Sequence, residues 1–269
     1  MSRRGKTKKQ PKTKTSSLER MLAILDFFTE EDPVWSMDEL AAAGGYTRST
    51  AYRYVKELSD SGFLAPAGNA RYSLGPRIIQ LDRQLRVSDP MLASMRTVEP
   101  DLPRLHGDQA WLLCRLFKES VICIHRAGSF RSKLSFSRGF PMPLFRGATS
   151  KVVLAFLSDH HHMRLYLNNQ RLIAESGLGE TWEEFRASVR QIRKHGYAGS
   201  VAEVDPGVFG IAAPIFSPEG KLVGSISNVR PVAQLDKARW AKEGRQLTAI
   251  AARISEGMSA ILGKTVHSE

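Results

Sequence analysis

Two adjacent glycines, Gly44 and Gly45, stand between two stretches that each carry a helix-start signal, and this corner restricts the fold more than any other feature of the chain. Upstream, Ser36 and Glu39 in "SMDELAAA" have the spacing of a capping box, in which each side chain bonds the other's free backbone N–H. Downstream, Thr47 is placed to cap "TRSTAYRYVKEL". Between them a glycine can take the positive φ that ends one helix and turns the chain sharply. Two helices joined by so short a turn predict a helix-turn-helix, whose second helix lies in the major groove of DNA.

That second helix carries two stripes. Ala51, Val55 and Leu58 recur at i, i+4, i+7 and predict the buried face. Ser49, Tyr52, Arg53 and Lys56 form another face, and it holds no acid. Hydroxyls, a phenol and bases are the groups that bond phosphate oxygens and base edges. On this helix alone a basic surface face is an equal reading, so the flanking residues decide. Ser16 and Glu19 form a second capping box, opening a helix from Ser16 to Phe28 whose buried stripe is read as Leu18, Met21, Leu22, Leu25 and Phe28. After Gly62, "FLAPAGNARYSL" has two short apolar strands around a turn, which is a hairpin. A hairpin in this place is a wing, and Asn69, Arg71 and Tyr72 near its tip could reach the DNA backbone or minor groove. It could also be a plain hairpin that closes the small core. Residues 16–75 are therefore expected to form a winged helix-turn-helix. Arg48, Ser49, Thr50, Tyr52 and Arg53 are expected to contact bases and adjacent phosphates of double-stranded DNA.

Charge agrees with that partner. The formal charge is +12, and residues 1–15 hold seven Lys or Arg and no acid. That composition predicts a disordered basic arm, which would suit a polyanion but could equally be a solubility tail. There is no apolar run of membrane-spanning length and no signal-peptide pattern, so a soluble cytoplasmic protein is expected. Two cysteines, Cys114 and Cys123, cannot build a disulfide framework and read as buried thiols that could face each other across a hairpin.

Residues 76–90 predict a linker helix with a stripe of Ile78, Ile79, Leu81 and Leu85, interrupted by "DP" at 89–90. A further helix is expected from Met91 toward His106. From Gln109 the period changes. "AWLLCRLF" and "SVICIHRA" around "KES" predict one hairpin, "KLSFS" a third strand, and "VFGIAAPIFS" and "KLVGSISNV" around "PEG" a second hairpin. Helical spacing returns in "GATSKVVLAFL", in "DHHHMRLYL" with Asp159 as cap, in "TWEEFRASVRQIRKHG", and from Leu235 to Leu262. An antiparallel sheet covered by helices makes residues 91–269 an α+β domain with room for a small molecule. Catalysis finds no support. Consecutive histidines at 160–162 point about 100° apart on a helix and read as a solvated first turn, and Ser150 and Lys151 diverge in the same way. No HExxH, CxxC, GxSxG, P-loop or Rossmann pattern is present, so no metal or cofactor is expected.

Over residues 16–262 the chain resembles the IclR-type family of bacterial transcription regulators. The resemblance rests on "SLERMLAILDFF", "ELAAAGGYTRSTAYRYVKEL", "GFLAPAGNARYSLGPRI", "GATSKVVLAFL" and "HGYAGSVAEVDPGVFGIAAPIFSPEGKLVGSIS", in that order and spacing. It implies a winged helix-turn-helix, a linker helix and a GAF-like effector domain. It also implies a homodimer joined through the amino-terminal domains, often paired into a tetramer, on a palindromic operator. The effector site it implies has backbone amides at Ala148 and Thr149, apolar walls at Leu134, Met142 and Val208, and polar anchors at Ser200, Gly210, Ser227 and Val229. Members that bind small oxo-acids commonly have Asp, Cys and Ser where this chain has Ser200, Gly210 and Val229. Fewer polar hooks and more apolar surface predict a bulkier effector, an aromatic or longer-chain carboxylate. Arg146, where small residues are usual, could pair with that acid or be a solvated arginine. Loss of ligand binding, leaving a domain that only oligomerises, is the alternative.

Overall fold

The computed structural model describes residues 16–103, 107–131, 134–135 and 137–266. The expected basic arm at 1–15 lies outside them. Two compact units are present, one ending at Val87 and the other beginning at Ser88.

The first unit opens with α1 (Ser17–Leu22), held by the Ser16–Glu19 capping box. A 3-10 turn (Ala23–Phe27) follows, and Phe28 is extended. The expected single helix to Phe28 is thus broken, and its stripe is corrected. Ile24 is fully buried, whereas Leu18 and Leu22 are 68% and 51% exposed. Met21, Ile24, Leu25 and Phe28 share the inward face at i, i+3, i+4, i+7, and Leu18 and Leu22 lie beside it. Strand β1 (Trp35–Ser36) lies in what read as an acidic loop. Helix α2 (Met37–Gly44) carries the second capping box and ends at Gly45 with φ 62°. Helix α3 (Arg48–Asp60) starts at the Thr47 cap. Its end is a Schellman motif at Gly62 (φ 75°), with the Phe63 N–H donating to Leu58 O at 2.8 Å and the Gly62 N–H to Ser59 O at 2.9 Å. Strands β2 (Leu64–Pro66) and β3 (Arg71–Leu74) form the hairpin, and β3 is central in the order β1-β3-β2. Leu40, Val55, Leu58 and Leu64 complete the core. Helix α4 (Arg77–Ser88) buries no residue, and Ile79, Leu85 and Val87 are half or more exposed.

In the second unit α5 (Pro90–Val98) is capped by Asp89, whose Oδ1 accepts the Met91 and Leu92 N–H groups at 2.8 and 3.1 Å. It does not run on toward His106. A 3-10 turn at Glu99–Asp101 contains Pro100, which has no N–H to continue the ladder, and residues 104–106 lie outside the described set. Strands β4 (Ala110–Phe117), β5 (Ser120–Gly128) and β6 (Pro141–Pro143) precede three helices, α6 (Ala148–Ala155), α7 (Asp159–Glu175) and α8 (Trp182–His195). Strands β7 (Ala198–Val201), β8 (Val208–Phe216) and β9 (Leu222–Pro231) follow, and α9 (Trp240–Val266) comes last. The strands make one six-stranded antiparallel sheet in the order β6-β5-β4-β9-β8-β7. One face packs on α6 and α8 and the other on α5 and α9, giving two separate cores.

Several boundaries differ from expectation. The third strand is β6, not "KLSFS": Leu134, Ser135 and Ser137 are not extended in the sheet, and Lys133 and Phe136 lie outside the described residues. Helix α7 is capped by Ser158, with Asp159 its first residue. Of the three histidines, His160 and His161 are exposed, but His162 is buried with Nε2 2.7 Å from Leu154 O. Helix α9 starts five residues later than Leu235, after a 3-10 turn at Val232–Gln234. Cys114 and Cys123 are cross-strand partners, both buried and free. Burial and the neighbouring thiol push Cys114 up, while the hydrogen bond from Cys114 pulls Cys123 down.

A Cβ on Gly199 would meet the Trp240 ring at 1.8 Å, so Gly199→Ala should cost about 1–3 kcal/mol in chemical denaturation. Burial lowers the His162 pKa, outweighing the Leu154 carbonyl that favours its protonated form. The unfolded chain therefore takes up the proton first, and the stabilising effect is lost as pH falls below about 6.5. The melting temperature should fall less between neutral and mildly acidic pH in His162→Gln than in the parent. Equal slopes would contradict this.

Candidate nucleic-acid interface and ligand pocket

Helix α3 is held from behind and free in front. Behind, Tyr54 is buried and its hydroxyl lies 2.9 Å from Ser17 Oγ. The neighbouring Tyr46 meets Tyr54 edge-on and donates to Arg20 O at 2.9 Å, tying α1 to the corner. In front, Ser49, Tyr52, Arg53 and Lys56 are all exposed, Tyr52 at 61%. The Arg53 guanidinium sits over the Tyr54 ring at 5.4 Å, which steadies a long, exposed side chain. At the helix start, Thr47 Oγ1 accepts the Thr50 N–H at 3.3 Å and donates to Thr50 Oγ1 at 2.9 Å. Arg48 pairs with Asp38 at 3.2 Å, but both side chains are about three-quarters exposed or more. Such a pair is weak enough to yield to a phosphate.

In the wing tip Gly68, Asn69 and Ala70 all have positive φ (82°, 48°, 55°), a tight left-handed turn that leaves Asn69 exposed. Arg71 is placed differently from Asn69. Its guanidinium donates to Val34 O at 2.9 Å and to Glu39 Oε2 at 3.2 Å. It ties the wing to β1 and α2, which the sequence pattern could not foresee because β1 was read as loop.

In the larger unit a small cavity of about 40 Å³ lies at the start of α6. Leu134, Met142, Ala148, Thr149, Ser200, Val208, Gly210 and Val229 line it, drawn together from five elements and the loop that carries Leu134. Two expected residues do not. Ser227 is fully buried beneath it and accepts from Thr149 Oγ1 at 3.0 Å. Arg146 is exposed and donates to the Glu203 carbonyl, beside a separate depression.

The loop between β7 and β8 supplies lining residues that sequence reasoning missed, Glu203, Val204 and Asp205. The Glu203 carboxylate accepts the Gly147 N–H at 3.0 Å and pairs with Lys151 Nζ at 2.8 Å. Lys151 is buried and also donates to Ser176 O at 2.9 Å. Ser200 Oγ takes the Ala148 N–H at 2.9 Å. Free amides at a helix start attract anions, and here the chain's own carboxylate and hydroxyl satisfy two of them. Val204 closes over the same point: a Cβ on Gly147 (φ 79°) would meet Val204 Cγ2 at 2.9 Å.

A helix-turn-helix whose second helix exposes an acid-free face, with a wing and in one chain with an antiparallel-sheet domain, is the architecture of a DNA-binding transcriptional regulator. Residues 17–67 match the IclR helix-turn-helix domain, and residues 91–256 match the bacterial transcriptional regulator IclR C-terminal domain. The chain belongs to the IclR family of bacterial transcriptional regulators. Among curated relatives it is similar to the HTH-type transcriptional regulator KdgR of Escherichia coli, at 26% identity over 93% of this chain and 95% of that one. It is also similar to KipR of Bacillus subtilis, at 24% identity over 80% and 85%. An IclR regulator structure from Silicibacter sp. TM1040 matches with TM-score 0.75 and 21% identity over 90% of this chain and 96% of that one. An IclR homologue from Microbacterium hydrocarbonoxydans, solved with 4-hydroxybenzoate, matches with TM-score 0.69 and 19% identity over 91% and 100%. These structural likenesses establish the fold. Among the described residues no helix is long and apolar enough to cross a membrane.

Glu203→Gln should leave the Lys151 ammonium without its counter-charge. A cost of about 1–3 kcal/mol is expected in urea or thermal unfolding, at the lower end because the Glu203 side chain is 26% exposed. No loss would mean that Ser176 O alone satisfies Lys151.

Proposed function

We propose that the protein is a ligand-responsive, sequence-specific regulator that binds a palindromic operator as a homodimer and is not an enzyme. The observation that carries this reading is the exposed, acid-free face of α3, anchored from behind by buried Tyr54, Val55 and Leu58. Arg48, Ser49, Thr50, Tyr52 and Arg53 read bases and adjacent phosphates, and Asn69 meets the backbone or minor groove. Arg71 serves by holding the wing in place. Exposed leucines on α1 and exposed Ile79, Leu85 and Val87 on α4 supply the apolar surface that self-association needs. A dimer would set two recognition helices about 34 Å apart, and pairing of dimers into a tetramer would use the larger unit.

The effector proposed is a small organic or aromatic carboxylate, bound between the start of α6 and the loop carrying Glu203. The complex of the Microbacterium homologue with 4-hydroxybenzoate supports that class. A carboxylate would have to replace Glu203 at the Gly147 amide, so binding would move the loop. The small cavity and its own two acids favour the second reading, a domain that no longer takes a ligand there and serves oligomerisation. A ligand that binds the native state raises the melting temperature, and a thermal-shift series of organic acids separates the two.

DNA readout is tested by anisotropy on a duplex selected from a random library and on a scrambled duplex. Arg53→Ala should cost about 1–3 kcal/mol on the selected sequence and much less on the scrambled one. Equal losses on both would remove Arg53 from base readout.

A further inference from the structure

The opposite face of the six-stranded sheet carries a second, larger cavity of about 230 Å³, between β4, β8, β9 and the start of α9. It shares no lining residue with the pocket at α6. Its charge is of the other sign. Among the described lining residues Arg230, Arg239 and Lys242 stand against one carboxylate, Glu243, with Asp236 outside the lining and 3.4 Å from Arg239, so cations remain in excess. Among the described residues the pocket at α6 is lined by Glu203 and Asp205 and by no cation. An organic anion entering this unit is therefore drawn to the α9 side.

The cavity is built, not a chance cleft in the surface. Arg230 is only 6% exposed, and its guanidinium lies over the Phe209 ring at 4.7 Å and is gripped by Glu243. Beside it on β9, Asn228 is 5% exposed and donates to Gln109 Oε1 at 3.2 Å. Among the described residues, two buried atoms of this pair, Asn228 Oδ1 and Arg230 Nε, have no hydrogen-bond partner. Orphaned buried polar atoms are costly, and two on alternate residues of β9, facing the same cavity, call for a group that satisfies them. An acceptor suits Nε, and a donor suits Oδ1. The remaining wall is apolar: Trp111 from β4, Ile211 from β8, and Leu247 and Ile250 from α9. The start of a 27-residue helix adds its positive end to the cations.

We propose that this cavity is a second ligand site, taking an aromatic carboxylate with its ring against Trp111 and its anion among Arg230, Arg239 and Lys242. A hydroxyl on the ring would offer the donor that Asn228 Oδ1 lacks. The site stands independently of operator binding and of any ligand at α6.

Calorimetry on the full-length protein with benzoate, 4-hydroxybenzoate and 3-phenylpropionate tests it, with benzamide as the uncharged control. At least one carboxylate should bind, with benzamide weaker by about tenfold or more. Arg239 and Lys242 are exposed, so an Arg239→Gln/Lys242→Gln variant should fold, which its melting curve checks. Its affinity should fall by about tenfold or more. Val208→Phe, which fills the pocket at α6, should remove any binding there and leave the component lost in the double variant intact. The proposal is overturned if none of the carboxylates binds, if the double variant binds as tightly as the parent, or if Val208→Phe abolishes binding. Operator affinity in the same variants is a separate readout, so loss of the site and failure of the DNA-binding reading cannot be confused.

Discussion

Strand β9 turns Ser225, Ser227 and Val229 to one face of the sheet and Ile226, Asn228 and Arg230 to the other. A pleated strand permits nothing else, since successive side chains point to opposite sides. Its central place between β4 and β8 means that both faces are covered, so each set must be apolar or satisfied. On the α6 side, the two serines meet Thr149 through its hydroxyl and its carbonyl. On the α9 side the polar residues are larger and charged, and their bonding is incomplete. One strand thus gives a single domain two pockets of opposite character.

The smaller unit depends on a different economy. Its core is few in residues, so local devices at the chain's turns do much of the ordering. Two capping boxes, a Thr cap, a left-handed Gly45 and a Schellman closure at Gly62 fix the ends of three helices. Each such device stabilises by roughly 0.5–2 kcal/mol. Because these contacts lie at helix ends, the exposed face of α3 is left without a structural duty. Arg71 extends the same logic to the wing, adding to the packing of Leu64 and Tyr72 a guanidinium that ties β3 to Val34, just before β1, and to Glu39 of α2.

Those end signals are local, and so they were legible. Both capping boxes, the Thr47 cap, the Gly corner, the acid-free face of α3, the wing and both large hairpins can be read from residue spacing alone. Features set by distant partners were not. Ile24 was passed over because two overlapping helical stripes, one through Leu18 and Leu22 and one through Met21 and Ile24, fit the same apolar run, and spacing alone does not say which faces inward. Trp35–Ser36 becomes a strand only because β3 lies alongside it. His162 read as solvated, yet it is buried against Phe185, which lies on another helix. Among the pocket residues, those implied by resemblance largely converge at α6. The residues that change its chemistry, Glu203, Val204 and Asp205, sit in a short polar loop with no periodicity to mark it.

Glu203 shows why a pocket's charge cannot be read from its expected anchors. The start of α6 is an anion site by geometry, with free amides and the positive end of a helix. A carboxylate from the chain itself already fills that role, and Lys151 below neutralises it. The helix end is then satisfied without any ligand, and a further acid gains only by displacing one already paired. Across the sheet, Arg230 also has a resident partner in Glu243, but Arg239 and Lys242 leave the balance positive. The two faces therefore differ less in shape than in charge: the α6 side has its helix-start amides already met by a seated carboxylate, and the α9 side keeps an excess of cations over acids.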